Sequence, residues 1–244
     1  MIVFLHGVPE TAEFWDVRER IDRPSVALEL PGFGVERPPG FGSTPDDYVA
    51  WVLDQIDAIG EPVDLVGHDI GAPITYRAVT LEPRLVRSWV GDVAQVVHPD
   101  YEWHVFAKTW QTPGQGEEFF EAQKRRPVEE TAAGYQTLGV PADAAETMAK
   151  AVDEEMADSI LRYYRAATPN LHHRWGADLG PAEPPGLVVT PEFDPFDDLE
   201  RAKEMAALLG AEHRFLPGLG HFWPVEAPDR AAALLTEFWD SIAS

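Results

Sequence analysis

Short apolar runs alternate with longer amphipathic segments along much of this chain. Runs of three to six mainly apolar residues, rich in valine, leucine and isoleucine, predict strands. They span residues 1–6, 25–30, 63–66, 86–90, 187–190 and 214–216. Because strands that alternate with helices form a parallel sheet covered by helices, the pattern predicts an α/β fold.

Two helices are marked clearly by the sequence. Thr44 and Asp47 form a capping box with Pro45 at the first helical position, which predicts a helix start. Apolar residues then follow on one face at helical spacing: Tyr48, Val52, Leu53, Ile56 and Ile59. The last helix has the same pattern, with Leu234, Leu235, Phe238 and Ile242 on its buried face.

The pattern changes in the middle of the chain. From about residue 93 to 180 the sequence contains several helical segments and no convincing strand. Strand character returns just after the proline-rich stretch 181–185. We therefore expect residues 94–183 to form a helical cap, inserted between the two halves of an α/β core, residues 1–93 and 184–244.

One turn carries the strongest chemical signal. The apolar run 63–66 leads into Gly-x-Asp-x-Gly at residues 67–71, and a helical segment follows over residues 72–81. Small residues on both sides let the chain turn sharply, which lifts the central side chain into a cleft. The segment resembles the nucleophile elbow of the α/β-hydrolase superfamily, with Asp69 in place of serine or cysteine. The alternative is an ordinary glycine-flanked turn with a capping aspartate.

An aspartate at this position narrows the chemistry. A serine that attacked saturated carbon would form an ether, which water does not readily cleave. A carboxylate that attacks the same carbon forms an alkyl ester, and water can then hydrolyse this ester at the carboxylate's own carbon. Asp69 therefore suits displacement at sp³ carbon, as in the opening of an epoxide or the loss of a halide.

Two further motifs extend the resemblance to the aspartate-nucleophile branch of the superfamily, which includes soluble epoxide hydrolases and haloalkane and haloacetate dehalogenases. His-Gly-Val-Pro at residues 6–9 resembles the oxyanion segment of epoxide hydrolases, and Gly-His-Phe at residues 220–222 resembles the segment with the catalytic histidine. The resemblance implies that the backbone N–H groups of Val8 and Ile70 face the oxyanion formed during ester hydrolysis. It also implies that His221 is the base that activates water.

The resemblance requires a carboxylate that orients His221, and two residues are candidates. Asp194 follows the strand after the cap, 27 residues before His221, where many epoxide hydrolases have this acid. Asp92 ends the strand before the cap, where other members of the branch have theirs. Because one carboxylate is enough to fix the tautomer of the histidine, we favour Asp194 and retain Asp92 as the alternative.

The resemblance implies that two cap residues, usually tyrosines, hydrogen-bond or protonate the epoxide oxygen as the ring opens. The segment Leu-Arg-Tyr-Tyr-Arg resembles the region of the second, which corresponds to Tyr164, whereas Tyr163 is expected to point elsewhere on the helix. At the first position the chain departs from the family pattern and has His104. The alternative for His104 is a histidine packed in the cap near Trp103 and Trp110.

Composition and charge exclude several partners. The 244 residues include 19 basic and 42 acidic ones, for a formal net charge of −23. This charge repels nucleic acids and anionic membrane surfaces, so neither is an expected partner.

The chain has no cysteine and no histidine cluster with metal-ligand spacing, so we expect no disulfide, metal or cofactor. Without a signal-peptide pattern, or an apolar run near the ~18 residues that span a bilayer, we expect a cytoplasmic protein.

Epoxide hydrolysis is the activity that these residues favour. Haloalkane dehalogenases hold the halide with side-chain donors where this chain has Ile70 and Val8, whose side chains have none. Haloacetate dehalogenases bind the substrate carboxylate with arginines just after the nucleophile, and residues 70–73 contain no arginine. We predict an epoxide hydrolase that acts on a small uncharged epoxide. The alternatives are a dehalogenase with the same nucleophile and a catalytically silent binding protein of the same fold.

One feature of the superfamily is missing at the start of the chain. The usual sheet has two more strands before the His-Gly segment. We therefore expect either a sheet shortened at one edge or an incomplete start. An exposed strand at that edge would favour a homodimer.

Overall fold

Six strands form one sheet in the computed structural model, which describes residues 1–243. In chain order they are β1 (Ile2–Leu5), β2 (Ser25–Leu28), β3 (Val63–Gly67), β4 (Val86–Gly91), β5 (Gly186–Phe193) and β6 (Glu212–Gly220). Their spatial order is β2-β1-β3-β4-β5-β6, and all five pairings are parallel. The predicted α/β class is therefore confirmed, and every predicted strand is present.

The helices lie between and after these strands. In the described part of the chain they are α1 (Pro45–Ile59), α2 (Gly71–Leu81), α3 (Val105–Gln111), α4 (Gln115–Lys124), α5 (Val128–Gln136), α6 (Ala142–Ala151), α7 (Glu154–Ala166), α8 (Leu171–Trp175), α9 (Leu199–Leu209), α10 (Trp223–Glu226) and α11 (Pro228–Ile242). Short 3₁₀ segments occur at Ala12–Arg20, Pro83–Leu85 and Ala94–Val97. The predicted capping box at the start of α1 is confirmed, because the Thr44 hydroxyl and the Asp47 carboxylate each bond the other's backbone N–H.

Alternate residues of the central strands pack into two separate apolar layers. Val3 and Leu5 of β1 belong to the layer that α1, α2 and α9 cover. Ile2 and Phe4 belong to the opposite layer, which the 3₁₀ segment 12–20 and α11 cover. Side chains of a strand point alternately to the two faces, so helices on both faces of the sheet bury nearly every residue of its central strands.

Every regular element between β4 and β5 is helical, as the sequence predicts. We refer to helices α3 to α8 as the cap. Helix α7 packs against α3 and α4, and α5 packs against α6. The cap follows directly from the carboxyl end of β4, and in α/β sheets this end of the strands is where ligands bind.

Strand β6 is longer than the sequence indicates. The sequence predicts only a short strand here, at residues 214–216. The pairing with β5 shifts at this point and resumes between Phe193 and Gly220. The Gly218 N–H is satisfied by a side chain, since it donates to the Glu192 carboxylate at 2.7 Å. The strand therefore continues to the residue just before His221.

The edge strands of the sheet are β2 and β6. Strand β1 is paired on both sides, so the unpaired edge near the start of the chain belongs to β2. A homodimer through this edge stays a prediction. Within residues 1–243, no helix has the length and apolar character needed to cross a membrane.

Candidate active site

Asp69 lies at a sharp turn between β3 and α2. Its φ is 49°, in the left-handed region that residues other than glycine rarely adopt. The turn also needs glycine on both sides. A Cβ on Gly67 would lie 2.2 Å from the backbone oxygen of Gly71, and a Cβ on Gly71 would lie 2.4 Å from the backbone oxygen of Leu5. This close packing of strand and helix projects the Asp69 carboxylate from the end of the sheet, as in a nucleophile elbow.

Two groups approach the Asp69 carboxylate. The backbone N–H of Val8 donates to Oδ1 at 3.0 Å, and Oδ2 lies 3.6 Å from Nε2 of His221. A side chain at Gly7 would prevent this approach, because its Cβ would lie 2.4 Å from the Cβ of Asp69. Ile70, the second predicted oxyanion residue, is the N-cap of α2, where backbone N–H groups have no partner within the helix.

His221 lies just after β6 and is paired with Asp194. Its Nδ1 lies 2.9 Å from Oδ2 of Asp194, which follows β5. The other oxygen of Asp194 accepts the backbone N–H of Phe196 at 2.8 Å, so both carboxylate oxygens are held. When Nδ1–H donates to Asp194, the neutral ring leaves Nε2 free to accept a proton on the side that faces Asp69.

Asp92, the other acid that the sequence offers, has different partners. Its Oδ2 lies 2.6 Å from Nδ1 of His68 and accepts the indole N–H of Trp223 at 2.8 Å. Its Oδ1 accepts the backbone N–H of Asp69 at 3.0 Å. Asp92 therefore supports the turn that carries Asp69, whereas Asp194 holds His221.

Burial and charge shift the pKa values of the facing groups. Burial raises the pKa of Asp69, although the nearby His221 and His68 act in the opposite direction. Burial disfavours the charged form of His221, but the charge and hydrogen bond of Asp194 outweigh it, so the pKa of His221 is above 6.5. The charge of Asp69 contributes to this rise. The protonation of His221 thus depends on whether Asp69 is charged.

Tyr164 and His104 lie together on the cap side of Asp69, with ring centroids 6.3 Å apart. Burial, and then the charge of Asp69, raise the pKa of the Tyr164 hydroxyl well above 10, so it keeps its proton. Burial lowers the pKa of His104 to about 4. Its Nδ1 accepts the N–H of Ala107 at 3.3 Å as the N-cap of α3, so the neutral ring has its proton on Nε2. Both side chains are therefore uncharged hydrogen-bond donors at neutral pH.

A cavity of about 370 Å³ connects these groups. Its wall includes Asp69, His221, His104, Tyr164 and Val8. Aromatic side chains make up much of the remaining wall: Phe106, Trp110, Phe119, Phe120, Phe196 and Phe222. A largely apolar cavity of this size, with a few polar groups that converge on one point, is typical of a small-molecule site.

The sequence also matches a known family. Residues 2–234 match the alpha/beta hydrolase family. The chain belongs to this family. No curated protein sequence matches it.

Solved structures share the fold of this hydrolase. Epoxide hydrolase VrEH1 from Vigna radiata is 20% identical, with a TM-score of 0.81 over 98% of this chain and 91% of that one. Epoxide hydrolase A from Mycobacterium thermoresistibile is 20% identical, with a TM-score of 0.77 over 97% of this chain and 90% of that one. E-2-(acetamidomethylene)succinate hydrolase is 19% identical, with a TM-score of 0.74 over 98% and 91%. At these identities the likeness establishes the hydrolase fold.

A buried charged cluster behind the elbow of the hydrolase was not predicted. His68 is fully buried between two carboxylates. Its Nδ1 faces Asp92, and its Nε2 lies 3.2 Å from Oε1 of Glu10. Burial disfavours the imidazolium, but the charges of Asp92 and Glu10 outweigh it and raise the pKa of His68 well above 6.5. The other Glu10 oxygen accepts the N–H of Gly7 at 2.7 Å. A signal was present, since Glu10 directly follows the His-Gly-Val-Pro motif.

Tyr163 differs from the sequence expectation. It was expected to point away from the site, yet it lines a small pocket beside Asp69 together with Tyr101 and Tyr164. Its hydroxyl is buried and has no hydrogen-bond partner among the described residues. Residues 163 and 164 are adjacent on α7, so helical spacing alone places them about 100° apart. Both line the pocket beside Asp69, so α7 presents more than one of its sides to the site.

Proposed function

We propose that this hydrolase converts an epoxide to a vicinal diol through an ester on Asp69. The proposal depends on the groups that surround the Asp69 carboxylate. Asp69 faces a cavity in which two uncharged donors, Tyr164 and His104, lie opposite it, and the His221–Asp194 pair lies beside it. A carboxylate, a base and neutral donors are the groups that this two-step reaction needs.

In the first half-reaction, an Asp69 oxygen attacks an epoxide carbon. A new C–O ester bond forms and the ring C–O bond breaks, with its electron pair going to the epoxide oxygen. Tyr164 gives that oxygen its proton, and Nε2–H of His104 donates a hydrogen bond to it. The raised pKa of Asp69 makes the carboxylate more basic, which favours its attack on carbon.

In the second half-reaction, water attacks Cγ of Asp69 and gives a proton to Nε2 of His221. The backbone N–H groups of Val8 and Ile70 stabilise the oxyanion. The ester C–O bond at Cγ then breaks, and His221 protonates the departing oxygen of the diol. The proton left on the Asp69 carboxyl returns to Tyr164, so the net reaction adds one water to the epoxide.

The charge on Asp69 differs between the two half-reactions, and this difference acts on the pKa of His221. The negative charge of Asp69 helps to raise the pKa of His221 in the free protein. The ester is neutral, so its formation removes this contribution and lowers the pKa of His221. Formation of the ester therefore favours the neutral form of the ring, which can accept a proton from water.

Attack by Asp69 from the back of the carbon would place a leaving halide, like an epoxide oxygen, on the side of that carbon opposite the carboxylate. The neighbouring residues Ile70 and Val8 have apolar side chains, and their only donors are backbone N–H groups. Tyr164 and His104 are donors on the cap side of Asp69, and Tyr164 can also give a proton to the oxygen of an opened epoxide, which a departing halide does not need. Epoxide opening is therefore the better fit.

The test is a single turnover in water enriched in ¹⁸O, with protein in excess over styrene oxide or 1,2-epoxyoctane. We expect diol, with one heavy oxygen in the peptide that contains Asp69, as measured by mass spectrometry. Diol without heavy oxygen in that peptide would contradict the ester route. A parallel incubation with 1-chlorobutane that released chloride, while the epoxides gave no diol, would favour a dehalogenase.

Two variants serve as controls for this experiment. Asp69→Asn should form no diol above the uncatalysed rate, once deamidation has been excluded by mass. His221→Gln should react once and stop, with the mass of the epoxide added to the protein, because the ester forms but is not hydrolysed. Full turnover by either variant would rule out the scheme.

A further inference from the structure

Two spaces of very different size meet at Asp69. The cavity of about 370 Å³ lies on one side, and a pocket of about 20 Å³ lies on the other. Four side chains line both: Asp69, His104, Tyr164 and Phe196. These include the proposed nucleophile and both proposed donors, so an epoxide ring held by them lies at the junction. Its substituents must then enter one space or the other.

The large cavity fits an apolar substituent. Aromatic rings from the cap stand against one another in its wall, with the ring centroids of Trp110 and Phe119 5.8 Å apart and those of Trp110 and Phe120 6.0 Å apart. Leu138 and Ile160 extend the same apolar surface. Burial of an aryl ring or an alkyl chain against this wall is favourable.

The small pocket has room for a single water-sized group. One water needs about 10–15 Å³ of such space, so about 20 Å³ leaves no place for a chain of several carbons. Bulky side chains from the core and from the region of the cap line it: Ile70, Val93, Val96, Tyr101, Trp103 and Tyr163.

The walls of the small pocket are fixed. Val93 has a φ of 41°, which is rare for a β-branched residue and persists only where the surroundings hold it. The indole N–H of Trp103 donates to the backbone oxygen of Ala167 at 3.2 Å, and its ring lies 5.2 Å from that of Tyr164. Widening the pocket would disturb these contacts.

The chemistry of the small pocket also disfavours an alkyl group. The hydroxyl of Tyr163 is buried and lacks a partner among the described residues. A water molecule beside an unsubstituted carbon would satisfy it, whereas an alkyl group would leave it unpaired. A buried polar group without a partner is unfavourable, so the hydroxyl and the volume act in the same direction.

We propose that the substrates are terminal epoxides, in which one ring carbon is an unsubstituted CH₂ and the other bears one aryl or alkyl group. The substituent occupies the large cavity, and the CH₂ carbon faces the small pocket. The product is a 1,2-diol with one primary alcohol. This proposal rests on the proposed function.

Isomeric epoxyoctanes test the proposal, because they have the same composition and nearly the same hydrophobicity. We expect kcat/KM to fall in the order 1,2-epoxyoctane, trans-2,3-epoxyoctane, trans-4,5-epoxyoctane. The total decrease should be about 100-fold or more, since misfit in a pocket of about 20 Å³ discriminates at this level. Equal kcat/KM values for the 1,2- and 4,5-isomers would overturn the proposal and leave the proposed function intact.

Variants of Val96 test which of the two spaces discriminates between terminal and internal epoxides. Val96 lines the small pocket and not the large cavity. Val96→Ala should raise the 2,3- to 1,2-epoxyoctane ratio of kcat/KM about 10-fold, and Val96→Leu should lower it. Leu138→Ala, the matched control, enlarges only the large cavity and should leave this ratio unchanged. A ratio that responded to Leu138 and not to Val96 would contradict the proposal.

The failure of this inference can be told apart from the failure of the proposed function. Failure of the inference appears as efficient hydrolysis of internal epoxides, with heavy oxygen from water entering Asp69. Failure of the proposed function appears as no diol from any of the three isomers and no heavy oxygen in Asp69. The wild-type series gives this distinction even if a Val96 variant does not fold.

Discussion

Three buried histidines near the elbow have different charge states because they have different partners. His6 donates from Nδ1 to the Gly7 carbonyl and accepts the Leu30 N–H on Nε2, and burial lowers its pKa to about 4. His68 lies between two carboxylates, which hold it as an imidazolium. His221 has one carboxylate on Nδ1 and faces Asp69 with Nε2. Only His221 has a nitrogen that faces Asp69 and is free to exchange a proton.

The two acids that the sequence left as alternatives should give different phenotypes. Asp194→Asn should slow ester hydrolysis by about 100-fold or more, because an amide does not stabilise the His221 imidazolium. Ester on Asp69 should then accumulate in single-turnover mass spectra. Asp92→Asn, the matched variant, should lower the free energy of unfolding by about 3–5 kcal/mol, because it leaves His68 without its closest counter-charge. Ester accumulation in Asp92→Asn alone would reverse the assignment.

At the scale of elements, three helices begin with specific devices, and two of these helices position the site. Helix α2 begins at the glycine-flanked elbow, where a strained φ at Asp69 is held by the close approach of β1. Helix α3 begins with His104 as its N-cap, which ties the tautomer of this histidine to the helix start. Helix α1 lies away from the cavity and begins with the capping box at Thr44.

The capping box of α1 provides a prediction about stability alone. Thr44→Ala removes the acceptor for the Asp47 N–H at 3.2 Å and should lower the free energy of unfolding by about 1 kcal/mol. Urea unfolding measures this change, and epoxide turnover should stay the same, because Thr44 is not part of the cavity wall. A loss of turnover without a loss of stability would mean that α1 affects the site directly.

At the scale of the whole molecule, burial makes stability depend on pH. His6 takes up a proton near pH 6.5 when unfolded, but only near pH 4 when folded. The unfolded chain therefore binds more protons between these values, and stability falls as the pH falls through this range. By this difference in pKa, His6 alone accounts for a loss of about 3 kcal/mol at pH 4.

The contribution of His6 can be isolated by comparison with His6→Gln. We expect the wild-type protein to lose about 2 kcal/mol more stability than this variant between pH 7 and pH 5, as measured by urea unfolding. Other ionisable groups remain in both proteins, so the difference between the two slopes reports on His6. Parallel slopes would mean that the pKa of His6 is the same in the folded and the unfolded protein.

Local patterns in the sequence determined the fold class and most of the site. Apolar runs of strand length, helical spacing and the capping box at Thr44 depend on neighbouring residues, so they could be read without the structure. The glycines around Asp69 are of the same kind, because a sharp turn imposes them locally. The resemblance of short motifs then indicated His221, Val8, Ile70 and Tyr164.

The tertiary structure decided which side chains meet. Asp92 bonds Trp223, 131 residues away, and Asp194 bonds His221 across 27 residues. No local pattern distinguishes these two pairings, because each depends on where separate loops leave the sheet. Local patterns also do not indicate that Glu10 lies against His68, that Tyr163 lines the site, or that two spaces of unequal size meet at Asp69. The spacing of residues in the sequence determines which side chains share a face of one helix or strand. The contacts and cavities between different elements depend on how those elements pack together.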